Sequence, residues 1–149
     1  MQSAMIDLIA KALGETVYMV AVSMVVATAL GVPLGVLLST TGKGGILEAR
    51  ALNKAIGAVV NAIRSIPFII LMVAIIPLTR LIAGTSIGTT AACVPLTIVA
   101  IPFLSRLVET SIRDVDFGLV EAAESMGATP FQIIRKVLIP EALPTIINN

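Results

Sequence analysis

Few residues of this chain are equipped for chemistry, and those with organised spacing lie together. Glu121-Ala122-Ala123 is followed by Gly127 and then by Val137-Leu138-Ile139-Pro140, after three long apolar segments. The chemistry they suit is recognition rather than catalysis. Asp114 or Asp116 can cap a first short helix, and Gly127 can end it in the left-handed conformation. Thr129 is then an N-cap, Pro130 takes the first helical position and Gln132 completes a capping box. Pro140 is expected to stop the second helix. Phe117, Val120 and Ala123 or Glu124 share helical spacing on the first arm. Phe131, Ile134 and Val137 or Leu138 do so on the second, with Arg135 and Lys136 pointing elsewhere. Two apolar faces on a short polar hairpin suit a groove on a partner. They suit equally the hairpin's own bundle or a membrane surface. Ala123 permits close helix approach, and Gly127 sits where a Cβ is penalised.

Other chemistries are poorly provided for. There is no histidine, which removes the commonest general base and transition-metal ligand. Cys93 is the single cysteine, so neither a disulfide framework nor a cysteine metal site is expected. Gly42-Lys43-Gly44-Gly45 contains a Gly-Lys pair, but no strand precedes it and no Ser or Thr follows the lysine. It reads as a glycine-rich turn rather than a phosphate-binding loop. No catalytic residue, metal site or cofactor is expected.

The elements that must position the hairpin are membrane spans. Apolar residues are 57% of the chain and charged ones 13%, against about 25% charged in soluble domains. Mean hydropathy is +1.04. Thr16–Gly42 and Leu81–Ser105 are uncharged, and each exceeds the roughly 20 residues that a crossing helix needs. Ser65–Thr79 is shorter, but Ala55–Ile63 before it is also apolar, with Arg64 between. Spans are expected at about 16–42, 55–79 and 85–107, with the hairpin at 116–140. Alternatively the second span starts at Arg64 and is short. Arg64 can pair with a carbonyl of a neighbouring span or face the substrate; the structural role is preferred. The first apolar run is too long for a signal peptide and is expected to be retained.

Lys43, Arg50, Lys54 and Arg64 lie between the first two spans, and Arg106, Arg113, Arg135 and Lys136 come after the third. Lys11 and Arg80 stand alone on the other face. The positive-inside rule puts the N-terminus outside and the hairpin in the cytoplasm. Tyr18 is the single tyrosine and tryptophan is absent, so an aromatic belt adds nothing. Pro33, Pro67, Pro77, Pro95 and Pro102 suit either packing kinks or a translocation pathway. Ser23, Ala27, Gly31 and Gly35 recur every four residues and let helices approach closely, within the chain or between copies. Cys93 and the six methionines read as packing residues.

The segment from Glu121 to Pro140 resembles the EAA loop of ABC-type importer permeases, with Val137 and Ile139 as conservative departures. Arg64-Ser65-Ile66-Pro67-Phe68-Ile69-Ile70-Leu71, Gly84-Thr85-Ser86-Ile87-Gly88, Val94-Pro95-Leu96-Thr97 and Met126-Gly127-Ala128-Thr129-Pro130 resemble the methionine-uptake branch of that family. The resemblance implies an all-α integral membrane protein of the ABC transmembrane type-1 class, a multi-span bundle with a cytoplasmic coupling-helix hairpin. It implies a bacterial plasma membrane location and a homodimer. The implied partners are two copies of a cytoplasmic ATPase and an extracytoplasmic substrate-binding protein. Glu121, Ala122, Ala123, Gly127, Ala128, Thr129, Pro130 and Pro140 would make or shape the ATPase contact. ATP hydrolysis would belong to the separate subunit, and methionine is the expected cargo, with another polar amino acid or small solute as the alternative.

Two other classes compete. A gradient-driven carrier usually places ionisable residues inside the membrane, and the uncharged runs hold no Asp, Glu or His. A membrane scaffold would bind a cytoplasmic partner and move nothing. The resembled family has two further spans beyond Pro140, so the 149-residue chain is expected to be incomplete at its C-terminus and unable to transport alone. Residues 141–149, reaching about 14 Å as helix, would be only the start of a fourth span.

Overall fold

The structure, a computed structural model, describes residues 2–148. Asn149, the last residue of the expected fourth-span start, lies outside the described residues. The fold is an all-α membrane bundle built on two long helices, α1 (Gln2–Thr41) and α5 (Thr89–Arg113). Between them come α2 (Arg50–Ser65), α3 (Phe68–Ala74) and α4 (Ile76–Ala83). Large apolar side chains such as Val25, Ile69, Val73, Leu81 and Phe103 face outward, as suits a surface solvated by acyl chains.

α1 begins well before the uncharged run at Thr16. Asp7, Lys11 and Glu15 stand four residues apart on one face and extend the helix through alternating charges. Its 40 residues reach about 60 Å, twice the hydrocarbon thickness. Ser23, Ala27, Gly31 and Gly35 are all buried. A Cβ on Gly31 would lie 3.0 Å from the Ile101 carbonyl oxygen. One on Gly35 would lie 2.6 Å from the Ser105 carbonyl oxygen and 2.7 Å from Val108 Cβ. The small-residue ridge is therefore used inside the chain, against α5. The Ser23 hydroxyl donates to the Cys93 carbonyl at 3.3 Å across the same seam.

The segment expected as one span over 55–79 is not one helix. α2 and α3 meet at 106° across Ile66-Pro67. Pro67 excludes the helical region for the residue before it, and Ile66 is extended at φ −84, ψ 127. Among the described residues, α1 from Met5 and α5 are each long and apolar enough to cross a bilayer. A third crossing requires the bent α2–α3 pair to act as one broken span. The third expected span, 85–107, corresponds to α5, which starts at Thr89, after the Gly84 C-cap of α4 with φ 73, and runs on to Arg113.

After α5 come α6 (Phe117–Ser125), α7 (Pro130–Ile133), a π-helical turn (Ile134–Leu138) and α8 (Ile139–Asn148). Pro140 does not stop the second arm, contrary to the expectation from sequence. Ile139 N–H reaches back five residues to the Ile134 carbonyl, and the wider turn relieves the clash a proline makes with the carbonyl four residues earlier. The helical run continues to Asn148. Val120, Ala123, Ile133, Leu138 and Ala142 bury against Val108 and Ile112 of α5, which seats the whole hairpin on the end of the bundle.

Candidate functional site

The turn of the hairpin is held by local hydrogen bonds. Asp116, not Asp114, caps α6, its carboxylate accepting from Gly118 N–H at 2.8 Å. Gly127 has φ 79. Its N–H donates to the Glu124 carbonyl at 2.8 Å, and Ala128 N–H donates to the Ala123 carbonyl at 3.1 Å. Those two bonds are the paired closure that a left-handed residue makes at a helix C-terminus. Thr129 then opens α7 with a full capping box: Gln132 N–H donates to its hydroxyl at 3.4 Å, and its own N–H donates to Gln132 Oε1 at 2.8 Å. Pro130 occupies the first turn, where its missing N–H costs nothing.

The apolar spacing of the two arms divides between two surfaces. Val120, Ala123, Ile133 and Leu138 face α5 and are buried. Ala123, 5% exposed, thus shapes the hairpin mainly from inside. Glu121, Ala122, Gly127, Thr129, Pro130 and Pro140 are exposed, and Ala128 is half-buried. Phe117 stands outside, as do Phe131 at 68% and Met126 at 81% exposure. Met126, Gly127, Ala128, Gln132, Lys136, Val137 and the edge of Ala123 line a shallow concavity of about 470 Å³. Exposed Glu121 and Glu124 lie on the first arm and exposed Arg135 and Lys136 on the second. The arrangement offers two large apolar side chains at a rigid turn, flanked by opposite charges.

The glycine-rich turn at residues 42–45 has a different use. Gly44 N–H donates to a Glu48 carboxylate oxygen at 3.2 Å, and Arg50 pairs with the same carboxylate. The Gly44 N–H, then Arg50, hold the Glu48 carboxyl below its ordinary pKa. The backbone donor that a phosphate would need is filled by the chain's own acid.

Arg64 ends α2 as an exposed residue and, among the described residues, makes no hydrogen bond or ion pair. The expected pairing with a neighbouring carbonyl is not found. A different charged group was missed from sequence. Glu109, 4% exposed, receives Arg106 at 2.7 Å and Arg113 at 2.8 Å on its two carboxylate oxygens. Arg106 also donates to Asn61 Oδ1 of α2 at 2.8 Å. The signal present in the sequence was one acid placed three residues after one arginine and four before another.

The chain has counterparts among known proteins. Residues 31–149 match the family described as binding-protein-dependent transport system inner membrane component. A probable D-methionine transport system permease protein MetI of Vibrio cholerae is 65% identical over 143 residues, covering 96% of this chain and 64% of the relative. The D-methionine transport system permease protein MetI of Escherichia coli K12 is 49% identical, covering 99% and 68%. A chain of the MetNI methionine ABC transporter, solved in inward-facing conformations, superposes with a TM-score of 0.95 at 49% identity. That superposition covers 99% of this chain and 68% of the solved one. The chain thus spans 64% to 68% of the length of these three relatives.

Proposed function

Since this chain belongs to the family of binding-protein-dependent transport system inner membrane components, we propose that it is a permease subunit of an ATP-driven importer, with methionine as cargo. The observation that carries the reading is the hairpin at residues 117–138, a capped turn that holds Met126 and Phe131 outward while its other face joins the buried cluster that includes Val108 and Ile112 of α5 and Ala142 of α8. Such an element transmits force from a partner to the spans. The methionine assignment rests on relatives named for D-methionine transport and on a solved relative named as a methionine ABC transporter. The partners are a second permease copy, two cytoplasmic ATPase subunits and an extracytoplasmic substrate-binding protein. Hydrolysis belongs to the ATPase.

The exposed residues Glu121, Ala122, Gly127, Thr129 and Pro130 meet the ATPase, whereas Ala123 and Ala128 shape the contact from below. Pro140, beyond the π turn, acts through the line of the second arm. The gradient-driven alternative is weakened further by Glu109. Its two carboxylate oxygens each pair with an arginine of the same helix, the arrangement of a structural ion pair.

Docking is tested with Phe131→Asp. Burying an aspartate in a partner's apolar groove replaces an aromatic anchor, and such anchors contribute about 2 kcal/mol or more, roughly 30-fold in affinity. The variant is expected to insert normally yet co-purify with far less ATPase. Unchanged co-purification would remove the hairpin from the interface and leave the scaffold reading.

The hairpin is placed in the cytoplasm and the N-terminus outside, on the distribution of lysine and arginine. In a Cys93→Ser background, Asp7→Cys is expected to react with an impermeant maleimide on intact cells, and Gln132→Cys only after lysis. Labelling of Gln132→Cys on intact cells would reverse the orientation.

A further inference from the structure

The last turns of α5 carry three sets of contacts, two of them sharing Val108. Val108 and Ile112 form the seat of the hairpin. Ser105 and Val108 receive the Gly35 backbone of α1. Arg106, Glu109 and Arg113 form the ionic cluster, and Arg106 alone reaches α2, at Asn61 Oδ1 and, at 3.5 Å, the Gly57 carbonyl. Arg113 extends the cluster toward the end of α1, where a Cβ on Gly42 would lie 3.2 Å from its Nη2.

We propose that Glu109 is a positioning residue: by orienting Arg106 onto Asn61 it makes α2 move with α5 and the hairpin as one body. The proposal rests on the reading that a partner drives the hairpin, but the contact and its test concern this chain alone. Stability is a poor reason for such a cluster. Glu109 is taken out of water with two cations on it, and Arg106 Nε is buried with no hydrogen-bond partner among the described residues. Buried ion pairs commonly add little net stability over apolar packing, and their better-attested use is to select one arrangement. Geometry agrees. Glu109 accepts Arg106 Nη1, which aims Nη2 of the same rigid guanidinium fork at α2. Among the described residues α2 buries only Val60, and its other side-chain tie, Asn53 donating to the Leu38 carbonyl and the Thr41 hydroxyl, is to the end of α1 and not to α5. Without the arginine fork, α2 would stay tied to α1 through Asn53 while losing its side-chain bonds to α5, and a displacement of α5 and the hairpin would be taken up at that seam.

The test reads the distance between the hairpin and α2 by double electron–electron resonance. Spin labels are placed at Gln132→Cys and Lys54→Cys in a Cys93→Ser chain in lipid nanodiscs. The parent is expected to give one narrow distribution. Glu109→Gln is expected to add a second population, and so is Asn61→Ala, which leaves the α5 cluster intact and cuts only its far end. Adding Asn61→Asp to Glu109→Gln puts a carboxylate on α2 opposite Arg106 and is expected to restore the single distribution. A defect confined to α5 would not respond to that change. Parent-like distributions in Asn61→Ala, or broadening in Glu109→Gln that Asn61→Asp leaves untouched, would overturn the proposal. If Glu109→Gln fails to fold, Asn61→Ala decides alone. No ATPase is present, so an unsuccessful docking experiment leaves this result standing, and the reverse also holds.

Discussion

Gly35→Leu is expected to separate α1 from α5 and to leave little folded protein. Even the first added carbon would sit 2.6 Å from the Ser105 carbonyl oxygen and 2.7 Å from Val108 Cβ, inside any tolerated contact. Neither neighbour can yield, because one is helix backbone and the other is held in the core that seats the hairpin. Overpacking of a dense interior costs about 1–3 kcal/mol where side chains can shift, and more where only backbone can. The series Gly35→Ala, Gly31→Ala and Gly14→Ala grades the effect. The second meets atoms at 3.0 Å and the third meets nothing within 4 Å. The fraction that stays monodisperse by size-exclusion chromatography after heating in detergent should fall in the order Gly14, Gly31, Gly35. A Gly35→Ala protein as heat-resistant as Gly14→Ala would show that the helices do not approach as described.

The second large effect belongs to Gly127. Its φ of 79 is a left-handed conformation, yet a Cβ there would meet no atom within 4 Å. The cost of a side chain is therefore backbone strain alone, about 1–2 kcal/mol for an ordinary L-residue and more for a β-branched one. Gly127→Asn should lie close to the parent, because asparagine visits this region readily. Gly127→Ala should lose part of the hairpin's protection, and Gly127→Val most of it. Amide hydrogen exchange at Ala128 and Gln132 reads the turn directly, since their N–H groups close it onto Ala123 and Thr129. ATPase co-purification should change in the same order. Equal protection in Gly127→Val and Gly127→Asn would sink the strain argument.

The hairpin turn was legible because its determinants are local. Asp116, Gly127, Thr129 and Gln132 fix their own backbone through bonds that span two to five positions, and Pro130 through its fixed φ. The ridge at Ser23, Ala27, Gly31 and Gly35 was legible as a close-packing face, but periodicity does not say which helix fills it. Pro67 read as a kink or pathway proline within one span, not as the end of a helix. The 106° turn depends on where α3 finds packing, at Leu71 among few buried positions. Glu109 escaped notice because the residue that gives it meaning, Asn61, is distant in sequence and carries no charge. The EAA segment also divides in a way that spacing could not show. Glu121 and Ala122 face outward while Ala123 is consumed by the chain's own core.

The π turn at Ile134–Leu138 ties the length of the chain to a single imino acid. A turn of this kind accommodates one extra residue in an otherwise α-helical stretch without rotating the helix beyond it. Ile133 before it and Ala142 after it therefore both reach the α5 core. Removing one residue would return the stretch to a regular helix and keep that phase, but it would also bring the Pro140 ring against the carbonyl four positions earlier. Insertion and proline are thus a matched pair: either alone strains the second arm, and together they let the helical run continue to Asn148.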